Sequence, residues 1–86
     1  SGIETELAQA EAAIFGNLAM CYFKEQNDEL VITYCQKVIE RAPHVKDKQV
    51  LLKAYMRRGL AYERAEKYKL AIDDLTNIKL AQPDNR

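Results

Sequence analysis

Eighty-six residues suffice for one small domain, and 13 Lys and Arg balance 13 Asp and Glu, so the formal net charge is zero. That neutrality excludes a nucleic-acid binder driven by overall basicity, which needs a cationic excess or stripe. A hydrophobic share of 48% beside 30% charged residues suits a folded soluble chain and is too apolar for intrinsic disorder, while no apolar run approaches the roughly 20 residues of a membrane span.

The N-terminus has no basic region followed by an apolar stretch, so no signal peptide is expected; Ser1-Gly2 reads as an expression remnant. From Glu4 to Lys24, Leu7, Ala10, Ile14, Leu18, Cys21 and Tyr22 recur at helical spacing. Gln26-Asn27-Asp28 is a polar turn, and Asn27 or Asp28 can cap the helix that follows. That second helix carries Leu30, Val31, Tyr34, Cys35, Val38, Ile39 and Ala42, and Pro43 marks its end. A third helix holds Val50, Leu51, Ala54, Tyr55, Leu60, Ala61 and Tyr62. A fourth holds Leu70, Ala71, Ile72, Leu75, Ile78 and Leu80, with Pro83 as its stop. No segment alternates with period two for long enough to form a strand. The fold class is all-α: four helices in two hairpins.

Cys21 and Cys35, each within an apolar pattern, read as two buried thiols in a reducing compartment, which implies a cytoplasmic protein. Two Cys and the lone His44, without paired spacing, do not make a zinc site. His44 follows a helix-ending proline and gathers no nucleophile or base around it. Asp73 and Asp74, adjacent on one helix, point apart. No enzyme activity and no cofactor are expected.

The hairpins repeat. A shift of 40 residues lays Phe15 on Tyr55, Ala19 on Gly59, Tyr22 on Tyr62, Lys24 on Arg64, Ile32 on Ile72, Cys35 on Leu75 and Pro43 on Pro83. Each unit reads aromatic, small residue, Tyr, turn, small or apolar residue, bulkier residue, Pro. This resembles the tetratricopeptide repeat (TPR), a helix–turn–helix unit of about 34 residues that stacks into an α-solenoid. The units fall at 12–45 and 52–86. Residues 46–51 form an inserted linker or a backward extension of the third helix, and residues 3–11 extend the first helix backwards. The second unit is the cleaner, with Gly59, Tyr62, Tyr68, Ala71 and Pro83 in register. The first departs from the pattern at Asp28, Val31 and Val38. The Phe and Tyr residues read as packing between helices.

In such arrays the first helix of each pair lines a concave groove. The resemblance puts Ala13, Gly16, Asn17, Met20 and Lys24 there from the first unit, and Lys53, Met56, Arg57, Leu60 and Arg64 from the second. Lys53, Arg57 and Arg64 share one helix face, and Asn17 should neighbour Arg57. Arg58 reads as exposed or paired with an acid such as Glu63. The Asn17–Tyr22 and Lys53–Gly59 runs are similar to the second and third repeats of TPR-carrying immunophilins, and the inserted linker is similar to that of dynein-arm assembly co-chaperones. The resemblance implies a carboxylate clamp for the C-terminal peptide of heat-shock chaperones of the seventy- or ninety-kilodalton class, ending Glu-Glu-Val-Asp. Asn17, Lys53 and Arg57 carry over as its anchors, and Met20, Met56 and Leu60 would receive the peptide's apolar side chain. The anchors of a preceding repeat have no counterpart, because Gly16 and Met20 cannot replace them. The chain therefore reads as the last two repeats of three. The alternative is a structural scaffold or oligomerisation unit, and uncovered edges of a two-repeat stack imply self-association.

Overall fold

Four capped or turn-bounded helices make up the computed structural model, which describes residues 2–81. They are α1 (Gly2–Lys24), α2 (Asp28–Glu40), α3 (Lys48–Arg64) and α4 (Tyr68–Ala81), with a single 3-10 turn at Ala42–His44 between α2 and α3. Among the described residues there is no strand. Asn27 caps α2 by accepting from the Leu30 amide at 3.2 Å, and Asp47 caps α3 by accepting from the Gln49 amide at 2.9 Å. Pro43 lies within the 3-10 turn, past the Arg41 cap that ends α2. Pro83 lies outside the described residues.

Residues 46–51 lie across the end of the connection and the start of α3. The 3-10 turn and an extended stretch through Asp47 lengthen the connection, and α3 then begins at Lys48. Helix α1 starts at Gly2. Glu11 accepts from Arg41 at 3.2 Å, and Thr5 Oγ1 lies 3.4 Å from His44 Nδ1, so the N-terminal part of α1 is tied to the turn after α2.

The two hairpins close with the same turn. In the first, the Asn27 amide donates to Tyr22 O and the Gln26 amide to Phe23 O; in the second, Lys67 donates to Tyr62 O and Glu66 to Glu63 O. This is a Schellman pairing, and its left-handed residue is Gln26 in one turn and Glu66 in the other, each at φ 61°. Each helix packs chiefly on the next, and α3 also reaches back to α1.

The core is built largely from small residues. Ala12, Ala19, Val31, Cys35, Val38, Ala54 and Ala61 form one buried cluster. Two of the larger apolar residues that set the helical periodicity of α1 face outwards instead: Leu7 and Ile14 are both 58% exposed. On α4, Ile72 and Leu75 are likewise exposed, while Ala71 and Asp74 are buried. Between α3 and α4 the small residues permit close helix approach. A Cβ placed on Gly59 would lie 3.3 Å from Asp74 Cβ, so α3 and α4 meet nearly backbone to side-chain root.

One place in each hairpin is filled in two different ways. In the first, the Tyr34 ring stacks on Phe15 at 6.0 Å and on Tyr22 at 5.6 Å between centroids. Forty residues on, Tyr34 is replaced by Asp74, and Phe15 and Tyr22 by Tyr55 and Tyr62. Asp74 is 1% exposed and takes a two-pronged pair from Arg58, at 2.9 Å from Nε and 2.7 Å from Nη2. The Arg58 guanidinium lies 5.8 and 5.7 Å from the Tyr55 and Tyr62 ring centroids, so an ion pair takes the role of the aromatic ring. Arg58 also donates to Gln36 at 2.9 Å, linking the hairpins. Its expected partner Glu63 is corrected to Asp74. Hydrogen bonding to Asp74 raises the Arg58 pKa above its usual value, against the opposing effect of burial.

The pair of buried thiols also needs correction, since Cys35 is buried but Cys21 is exposed. Helix α1 presents Cys21 on its outer side, where no further helix packs among the described residues. Burial pushes the Cys35 thiol up to about 11, partly offset by Arg57 and Arg58. Thiol labelling at pH 8 should therefore find one fast site in the native protein, lost in Cys21→Ser, and two in denaturant. The contribution of Cys35 to stability is full below its ordinary pKa of 9.0 and is lost as pH rises towards 11.

Candidate functional site

Helices α1 and α3 run side by side and enclose a concavity of about 190 Å³, lined by Ala12, Ala13, Gly16, Asn17, Met20, Val50, Lys53 and Arg57. Small residues on α1 keep its floor low: beyond Gly16 a Cβ would meet nothing within 4 Å. Lys53 and Arg57 are one turn apart on α3, and Asn17 faces them from α1. Asn17 and Lys53 are exposed, and Arg57 is half-buried.

The electrostatic setting separates these cations from their neighbours. Of the four described arginines, three are held by carboxylates: Arg41 by Glu11, Arg58 by Asp74 and Arg64 by Asp28. Among the described residues no carboxylate pairs with Arg57 or Lys53, and none lines the concavity. The site thus offers a point charge, a planar five-donor fork and a neutral amide on one open side, beside the apolar surface of Met20 and Val50. Such a set suits a carboxylate, or two adjacent ones, on a ligand with an aliphatic neighbour.

Other groove positions expected from the sequence do not join it. Arg64 donates to Asp28 from Nε at 2.8 Å and also from Nη2, and its guanidinium lies 5.6 Å from the Phe23 ring. It is a strut between hairpins rather than a free groove cation. Lys24 is exposed and outside the concavity. Met56 is 50% exposed and also outside it, and Leu60 lines a second hollow of about 150 Å³ with Gly59, Tyr68, Ala71, Ile72 and Leu75. The physical reason is the repeat itself. Met56 and Leu60 are the 40-residue counterparts of Gly16 and Met20, and would line a groove only beside a further helix. Ala12 and Val50 were not expected in the concavity. Ala12 lies one turn before Gly16 and so shares its face, a spacing visible in the sequence.

No cluster of three or more His, Cys, Asp or Glu suited to a metal occurs among the described residues, and none of their helices is long and apolar enough to cross a membrane.

Comparison with known proteins adds three findings. A family model described as tetratricopeptide repeat matches residues 12–45 and 52–85. A rat protein named Sperm-associated antigen 1 is 32% identical over 77 residues, which cover 88% of this chain and 8% of that protein. The chain therefore spans under a tenth of that relative's length. No solved structure matches it.

Proposed function

Because this chain belongs to the tetratricopeptide repeat family, a family of protein–protein interaction modules, we propose that its α1–α3 concavity binds the acidic C-terminus of an extended peptide. The reading is a partner of the Glu-Glu-Val-Asp type carried by heat-shock chaperones, which would make the chain part of a cytoplasmic co-chaperone. The observation that carries it is the contrast in pairing: Arg57 and Lys53 are left without carboxylate partners where the concavity opens, while the other described arginines are neutralised internally. Arg57 would fork onto the terminal carboxylate, Lys53 would supply a second positive charge, and the Asn17 amide would donate without adding charge. Met20 and Val50 would receive the aliphatic side chain next to the terminus.

Titration with a peptide ending in Glu-Glu-Val-Asp, beside its C-terminally amidated twin, tests this. Amidation, Arg57→Ala and Lys53→Ala are each expected to weaken binding by roughly 10- to 100-fold, the size of a charge-assisted hydrogen bond of about 1.5–3 kcal/mol. Lys69→Ala, on exposed α4, should leave it unchanged. Equal affinity for the acid and the amide would overturn the reading.

A further inference from the structure

We infer that the chain stacks head to tail on copies of itself, the outer face of α1 in one copy docking into the hollow at the α3–α4 end of the next. The molecule already contains the model for this contact. Within it, the second hairpin packs on the first by burying Ala54 and Ala61 of α3 in one cluster with Ala19, Val31 and Cys35. Moving 40 residues back along the incoming side gives Ile14 and Cys21, both exposed. Moving 40 forward along the receiving side gives Gly59, Ala71 and Leu75, which line the open 150 Å³ hollow. The two free faces are thus the two halves of an interface that the protein forms once internally.

Several exchanges along this contact complement one another in size and charge, while Leu75 in place of Cys35 and Cys21 in place of Ala61 add bulk. Gly59 and Ala71 are smaller than Ala19 and Val31, and deepen the receiving side where the incoming side enlarges Ala54 to Ile14. In the internal contact Arg64 reaches Asp28 and the Phe23 ring. Its counterpart Lys24 would meet Tyr68 and Glu63, an aromatic face and a carboxylate. Arg58 reaches over to Gln36. Its counterpart Leu18 would meet Thr76, the counterpart of Gln36, so this polar tie has no equivalent between copies. A contact between two different faces leaves one face of each kind free after every addition, so the product is an open or ring-closed array of copies rather than a two-fold dimer.

Sedimentation velocity on the 86-residue chain, over a concentration series into the high micromolar range, tests this with one variant on each face. Ile14 is 58% and Leu75 51% exposed, so Ile14→Glu and Leu75→Glu change the faces with little cost to the fold, which helical circular dichroism checks. The wild type should grow in mass with concentration beyond a dimer. Each variant alone should be monomeric, and an equimolar mixture should form a dimer and nothing larger, because one intact face of each kind remains. A wild type that stays monomeric, a single variant that still self-associates, or a mixture of folded variants that stays monomeric would overturn the inference. Should either variant lose helicity, Cys21→Arg and Ile72→Glu on the same two faces replace them, with the same readings.

Discussion

Asp74→Ala is expected to lower stability by about 3–5 kcal/mol, the cost of breaking a buried ion pair and leaving one charge behind. Asp74 is 1% exposed, and the Arg58 side chain retains only 14% exposure. Without the carboxylate, the guanidinium keeps Gln36 and the faces of two tyrosines, but no counter-charge. For a domain of this size each 1 kcal/mol moves Tm by roughly 4–8 °C, so the loss amounts to roughly 12–40 °C. Thermal unfolding followed by circular dichroism measures it. Removing both charges is expected to be far milder: Arg58→Met with Asp74→Leu should recover most of the lost stability, because neither partner then needs an ion in the interior. A shift of under about 1 kcal/mol for Asp74→Ala would show that the pair is not the internal contact described above.

Tyr34→Ala should produce the second large loss, about 3–4 kcal/mol, in the other hairpin. Its ring is stacked on both Phe15 and Tyr22, so its removal ends two aromatic contacts and opens a void between α1 and α2. The Phe15 ring also carries Arg41 at 4.8 Å, so the loss should extend to the tie between α1 and the 3-10 turn. Tyr34→Phe keeps both stacks and should cost less than about 1 kcal/mol. Chemical denaturation of the three proteins separates these outcomes by their midpoints at equal slope.

Tyr34 and Asp74 also show where the sequence could be read and where it could not. The repeat was legible because Phe15, Ala19, Tyr22 and Pro43 have counterparts of like kind 40 residues later, and the all-helical fold follows from that register. Asp74 has no such counterpart. An aspartate on a helix reads as solvent-facing by its chemistry, and only the three-dimensional nearness of Arg58 and Gly59 makes its burial tolerable. Cys21 differs for the converse reason: an apolar residue at the right spacing is exposed because, among the described residues, no helix covers that side of α1. In the candidate groove, Asn17, Lys53 and Arg57 are placed by the family resemblance, and all three line one concavity because each needs only the neighbouring helix. Arg64 lies on the same face, but the long reach of its side chain brings it to Asp28, a distance that helical periodicity does not encode.

The matching Schellman turns at Gln26 and Glu66 bear on how the molecule assembles. Both hairpins close through contacts between residues only a few positions apart, and neither turn depends on glycine for its left-handed residue. Nucleation can therefore begin at either end of the chain, with the junction between hairpins zipping afterwards. Under load or mild denaturant α4 is the helix free to detach first, because it packs chiefly on α3 alone.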